Sequence, residues 1–288
     1  MSTAIKNLKD FLSEAGCFAV VEVAATKGST PREAGASMLV SPAAIHGTIG
    51  GGQLEYMAID KARRMLRSGF TGEAARGTTL DIPLGPEIGQ CCGGRVEVSI
   101  RPGTPAAASA LVERAKAEES ALPHLYILGG GHVGKALAAA CALMPVHAVV
   151  VETRADELEG VAPGVETRLT PMPEEVVRAA PAGSAFAVLT HDHALDFLIV
   201  AEALKRGDAA YVGMIGSKTK KATFRSWFLK TAGGTEAEFS RLVSPIGGEA
   251  VKDKRPAVIA TLAAAEIMTA LTRGRAPAAP PKRQRIVG

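Results

Sequence analysis

Between an apolar segment, HLYIL (124–128), and a helix-like run stand Gly129, Gly130, Gly131, His132, Val133 and Gly134, spaced as G-x-G-x-x-G. A phosphate can approach the backbone N–H groups of such a turn. Glycine places no Cβ in the way, and the start of the following helix carries partial positive charge. Glu152 closes the next strand, HAVVVE (147–152), at the position of a ribose-binding acid in dinucleotide sites. The same glycines serve equally for close strand–helix packing, so the string by itself leaves both roles open. Gly129, Gly131, His132, Gly134 and Glu152 are the expected binding residues here.

Two further loops fall after strand-like runs. One is Thr190-His191-Asp192-His193, following AFAVLT, and the other is Gly213 to Lys218 within GMIGSK; Ser244-Pro245-Ile246-Gly247 is a fourth candidate for the same rim. In open α/β sheets ligands bind at the carboxyl ends of the strands, which makes His191, Asp192 and Lys218 expected pocket-lining groups. Two histidines with Asp192 and Asp196 have the donor types of a metal site. A third well-spaced His or Cys is missing, so a hydrogen-bonded loop is the favoured reading.

The first third of the chain holds another glycine-rich turn, Gly50-Gly51-Gly52, ahead of a helical stripe, with Lys27 and Arg32 upstream as counter-charges for an anion. Positive-φ turns also need glycine without any ligand. Gln90-Cys91-Cys92-Gly93-Gly94 follows. Adjacent thiols flanked by glycines suit loop chemistry, because a thiolate near backbone amides is a nucleophile or a soft-metal ligand. Cys17 and Cys141 lie in apolar text (GCFAVV, AAACALM) and are expected to be buried. No pair of cysteines has C-x-x-C spacing, so neither a zinc ribbon nor a disulfide framework is indicated.

These residues need elements to position them. Strands are expected at 17–25, in two short pieces within 36–49 and at 95–100, with a helix at 54–66. From His124 onward apolar strands alternate with helices, the pattern of a parallel sheet covered on both faces. The expected fold is therefore α/β: a C-terminal Rossmann-like parallel sheet with helices on both faces, plus a smaller N-terminal α+β domain. The expected boundaries are 1–101 for the first domain, 102–123 for a linker, 124–273 for the Rossmann-like domain and 274–288 for a disordered basic Pro/Ala-rich tail.

Composition narrows the function classes. Residues 273–288 carry five cations and no acid, more than the whole net charge of +4, so the body of the chain has no basic excess. With aromatics at 4%, no nucleic-acid surface is indicated. No stretch reads as eighteen consecutive apolar residues, and MSTAIKNLKDFLSEAG reads as an amphipathic helix rather than a signal peptide, so a cytoplasmic protein without a membrane partner is expected.

Taken in order, KGSTPREAGASM, GTIGGGQLE, QCCGGRVEV, LYILGGGHVGKAL, LTHDHALD, GMIGSKTKKATF and SPIG resemble the XdhC/CoxI family from about Phe18 to Thr272. The resemblance implies an N-terminal XdhC/CoxI domain and a C-terminal Rossmann-like domain. It also implies binding of molybdenum cofactor (molybdopterin), protection of it while a cysteine desulfurase supplies its terminal sulfur, and insertion into the xanthine dehydrogenase molybdenum subunit. A homodimer is expected on the same ground. Cys91, Cys92, Gly93 and Gly94 match the family's cysteine motif, implying contact of Cys91 and Cys92 with molybdenum, and Gly129 to Gly134 match its dinucleotide-type loop. After SPIG the family continues with an acidic-glycine segment and Thr-Pro. Here GEAVKDKRPAV stands instead, which removes support for a ligand role there.

A phosphorylated pterin dithiolene needs an anion cradle, a flat apolar slot and a soft donor, and of these the motifs offer two glycine-rich anion cradles and one vicinal dithiol. Two other functions compete. An NAD(P)-dependent oxidoreductase would use the Rossmann loop for NAD(P) or another nucleotide, although the sequence shows no separate Tyr/Lys or His/Arg dehydrogenase constellation. A non-catalytic scaffold would need neither glycine loop. The sequence favours an accessory chaperone over an enzyme.

Overall fold

The computed structural model describes residues 3–71, 76–85 and 93–273. Cys91, Cys92 and the basic tail 274–288 lie outside the described residues. The chain divides into two compact units, one ending at Glu118 and the other beginning at Glu119.

The first unit contains α1 (Thr3–Glu14), β1 (Ala19–Lys27), β2 (Ser37–Val40), β3 (Ile45–Gly47), α2 (Gly52–Arg67), β4 (Thr78–Pro83), β5 (Arg95–Pro102) and α3 (Pro105–Ser120). Its sheet runs β3-β2-β1-β5-β4, antiparallel throughout. Period-two alternation sends Ala19, Val21 and Val23 of β1 to one face, where Leu54, Ala58, Ala62 and Met65 of α2 meet them. Val20 and Leu39 point the other way, onto Leu8 and Phe11 of α1 and, less deeply, Ala107, Leu111 and Val112 of α3. Most of the segment expected as a linker, 102–123, is thus a helix packed on this unit. Cys17, expected to be buried, is exposed. It stands in the turn ahead of β1, its N–H bonded to the Ala15 carbonyl at 2.6 Å, and inward burial starts only at Phe18.

In the second unit the elements are β6 (His124–Leu128), α4 (His132–Cys141), β7 (His147–Glu152), β8 (Glu166–Leu169), α5 (Pro173–Ala179), β9 (Ala185–Val188), α6 (His193–Lys205), β10 (Tyr211–Met214), α7 (Lys218–Lys230), α8 (Glu236–Phe239), β11 (Leu242–Val243) and α9 (Pro256–Arg273). All pairs in its sheet are parallel, in the order β11-β10-β9-β6-β7-β8. Chain order reverses between β6 and β9, the Rossmann arrangement, which opens a crevice at the carboxyl ends of those two strands. Tyr126, Leu128, Phe186, Val188 and Met214 pack under α5, α6 and α7, while Leu125, Ile127, Ala185 and Ala187 pack under α4 and α9. Near-continuous burial on both faces is why these strands read as unbroken apolar runs.

Helix α9 is long and apolar enough, by length and composition alone, to cross a membrane. Its Ala260, Ala263, Ala264, Ile267 and Leu271 are buried in the cluster that also holds Leu137, Ala138 and Cys141 of α4.

The glycine turn after β6 is fixed by sterics. A Cβ on Gly134 would stand 1.9 Å from the Gly129 carbonyl oxygen, whereas one on Gly131 would meet nothing within 4 Å. Replacing Gly134 by Ala is therefore expected to cost about 1–3 kcal/mol in denaturant unfolding, through forced backbone displacement. Gly131→Ala should leave the midpoint nearly unchanged; equal midpoints for both variants would contradict this packing account.

Candidate functional site

In the second unit, the crevice between β6 and β9 is assembled around two acidic side chains. Glu152, 4% exposed, ends β7 and turns its carboxylate back under the glycine loop. The Gly130 N–H donates to one oxygen at 2.8 Å; the Thr153 N–H, at 2.8 Å, and the Arg154 N–H, at 3.2 Å, donate to the other. The Thr153 hydroxyl and the Arg154 guanidinium add further donors. Burial opposes ionisation of Glu152, but these donors outweigh it and hold the pKa down at about 2. The ribose-binding acid expected from sequence is thus fully engaged by its own chain. The first bond of α4 runs from the Lys135 N–H to the Gly131 carbonyl at 2.9 Å, so the preceding amides have no partner within the helix. No side chain caps this helix.

Asp196 is the second acid, 0% exposed among the buried apolar residues Ile199, Val200, Ala203 and Leu204 of α6. It accepts from the Thr190 N–H at 3.0 Å and the Thr190 hydroxyl at 2.7 Å, and it pairs with the largely buried Lys220 ammonium. Lys220 reaches it across Gly216, where a Cβ would stand 2.6 Å from Lys220 Cδ. Asp192 caps α6 through the Ala194 N–H at 2.7 Å. His132, His191 and His193 are exposed. Lys218, expected to line the crevice, is 82% exposed and pairs with Glu249 at 3.0 Å. Ser217 caps α7 and puts Lys218 in its outward first turn, so the lysine that reaches the crevice is Lys220. Among the described residues no three His, Cys, Asp or Glu side chains are arranged to hold a metal ion.

In the first unit three motifs distant in sequence meet at one end of the sheet. Gly50 lies against the 31–32 segment, for a Cβ there would stand 2.8 Å from Pro31 Cγ and 3.3 Å from Arg32 Cγ. Gly94 lies against the Lys27–Ser29 backbone, with 2.1 Å left to the Ser29 carbonyl oxygen. Leu84 and Gly93–Gly94 close the β4–β5 connection through paired backbone bonds of 2.8 Å, which brings the glycine flank of the cysteine motif beside Lys27. Lys27 and Arg32 are exposed, and neither has an ion-pair partner among the described residues.

The Gly50–Gly52 turn holds an internal anion. Glu55 Oε2 accepts from the Thr48 hydroxyl at 2.6 Å, the Gly51 N–H at 3.0 Å and the Ile49 N–H at 3.1 Å. Burial raises its pKa, but the Thr48 hydroxyl and the amides of Gly51, Ile49 and Gly50 lower it further, so Glu55 ionises below the ordinary carboxylate range. Sequence reasoning missed Glu55, Asp196, Lys220 and Arg154 as organisers. The available signal was a lone acid four or five residues into a helix that follows a glycine or threonine turn. Of the cysteines among the described residues, Cys141 is buried with its thiol pKa pushed up to about 12, and exposed Cys17 precedes β1, at the opposite end of that strand from Lys27.

The Glu152 carboxylate makes a pH signature. Its pKa is lower folded than unfolded, so its stabilisation is complete above the unfolded value of 4.5 and is lost as pH falls towards about 2. Unfolding free energy should fall by on the order of 3 kcal/mol more in wild type than in Glu152→Gln across this acid range. Parallel pH profiles for the two proteins would contradict the assignment.

The XdhC Rossmann domain model matches residues 125–267, and the XdhC and CoxI family model matches residues 12–76. The Escherichia coli K12 protein YqeB, described as uncharacterized, is 27% identical over 272 residues, or 89% of this chain and 44% of YqeB. The chain thus spans less than half the length of that relative. A crystal structure from Bacillus halodurans described as a xanthine dehydrogenase superposes with a TM-score of 0.76 at 17% identity, covering 97% of this chain and 98% of that one. At that identity the likeness is one of fold. With both domain models matching in order on the sheets described above, the chain belongs to the XdhC and CoxI family.

Proposed function

We propose that this chain binds molybdenum cofactor as cargo, shields it while a cysteine desulfurase supplies its terminal sulfur, and delivers it to the molybdenum subunit of a xanthine dehydrogenase. Family membership points to xanthine dehydrogenase maturation. The observation that carries the finer reading is the meeting of Lys27–Arg32, Gly50–Gly52 and Gly93–Gly94 at one end of the first unit, with two exposed cations that have no ion-pair partner among the described residues.

The donor set suits the cargo. Lys27 and Arg32 supply positive charge for its phosphate, and the glycines let a ligand approach the backbone. Cys91 and Cys92, adjoining Gly93, supply soft donors for the dithiolene-bound metal. Cys141, held protonated by burial, is unsuited to that role. The chain acts as a stoichiometric carrier, as a cytoplasmic homodimer, rather than as an enzyme with turnover.

The strand order of the second unit favours one other reading, an NAD(P)-dependent oxidoreductase. There Gly129, Gly131, His132 and Gly134 would face a nucleotide phosphate, with His191 and Asp192 on the rim. Against it stands Glu152, whose carboxylate is already surrounded by donors from Gly130, Thr153 and Arg154 and is not free for a ribose diol.

Anaerobic titration of the purified chain with molybdenum cofactor, followed by absorbance and metal analysis, separates the readings. Near-stoichiometric binding is expected, lost in the Cys91→Ala/Cys92→Ala double variant. Lys27→Gln/Arg32→Gln should weaken it about tenfold, with the difference shrinking as salt is raised. Tight binding of NAD(H) or NADP(H) without any binding of molybdenum cofactor would overturn the proposal.

A further inference from the structure

Tyr56 is 67% exposed, a large aromatic surface left to solvent. It stands on α2, whose core-facing residues are Leu54, Ala58, Ala62 and Met65. At about 100° per residue Tyr56 is turned about 200° from Leu54, onto the outward face. Helical side chains lean back over the turn that precedes them. For Tyr56 that turn is Gly52–Gln53, and at the adjoining Gly51 a Cβ would meet nothing within 4 Å. The one long acidic side chain nearby, Glu55, is folded onto Thr48, Ile49 and Gly51. No hydrogen bond, ion pair or ring contact holds the phenol among the described residues.

An unheld aromatic ring one helical turn beyond Gly52, on the helix begun by a glycine turn whose Gly50 lies against Pro31 and Arg32, matches a ligand with a flat conjugated ring and an anionic end. We propose that Tyr56 is the stacking platform for the pterin ring of the bound cofactor, with the phosphate directed to Lys27 and Arg32. The inference rests on the cofactor reading above and adds a residue that discriminates a planar heterocycle from a plain phosphate. Offset stacking between the phenol and the pterin needs no polar group at the ring position, so phenylalanine can replace tyrosine and alanine cannot.

The test uses the full chain as wild type, Tyr56→Phe and Tyr56→Ala, titrated with molybdenum cofactor and separately with a fluorescent free pterin lacking phosphate and metal. Wild type and the Phe variant are expected to bind both and to quench pterin emission. The Ala variant is expected to bind about tenfold more weakly and to lose the quenching, with an unchanged melting temperature because the side chain faces outward. Equal affinity and equal quenching in the Ala variant would overturn the inference while leaving the cofactor reading intact. Failure of the wild type itself to bind molybdenum cofactor would overturn that reading and the Tyr56 role with it.

Discussion

A glycine-rich turn at the head of a helix exposes backbone amides with no partner within the helix, and in each unit of this protein a carboxylate takes one or two of them. Glu152 holds the Gly130 amide from below, and Glu55 holds those of Ile49 and Gly51. Each acid is supported by a threonine hydroxyl, Thr153 or Thr48. Without them, buried or half-buried N–H groups would stand unsatisfied at about 1–3 kcal/mol each. The two units have unrelated sheets, one antiparallel and one parallel, and reach the same local solution. That solution decides which parts of each turn remain for a ligand. In the second unit the Gly130 amide and both Glu152 oxygens are committed, while the amides at the start of α4 are not. In the first, the turn is internally satisfied, and the surface beside it carries the exposed Lys27 and Arg32.

The buried pair of Asp196 and Lys220 does for the β9 loop what Glu152 does for the β6 loop. An acid on an apolar helix would be costly alone, and the lysine from α7 together with Thr190 compensates it. The pair ties three elements, the Thr190 loop, α6 and α7, across the carboxyl edge of the sheet. The rim of the second unit is therefore a set of loops held from beneath by charge, with its histidines left outside.

Much of this was legible in the sequence. The alternation of apolar strands with helices after His124 and the G-x-G-x-x-G spacing gave the Rossmann half, because strands buried on both faces cannot hide their composition. Strand β4 escaped notice, since an edge strand such as TTLDIP needs only Leu80 and Ile82 inside and looks like loop text. Lys218 adjoins the glycine loop in sequence, and only the structure shows that the lysine turned inward, onto Asp196, is Lys220. Cys17 looked buried from its neighbours, yet a turn one residue earlier reverses the exposure. In the first unit the motifs were visible individually. Their meeting was not, because close approach of Gly50 to Pro31 and of Gly94 to Ser29 depends on strand pairing across tens of residues.

The central claim is that the cofactor is held at the motif-bearing end of the first unit. Hydrogen exchange of the full chain with and without bound molybdenum cofactor tests it most directly. The account predicts slowed exchange in residues 27–32 and 49–56 and in the segment leading into Gly93. Slowing confined to residues 129–135, or none anywhere, would contradict it.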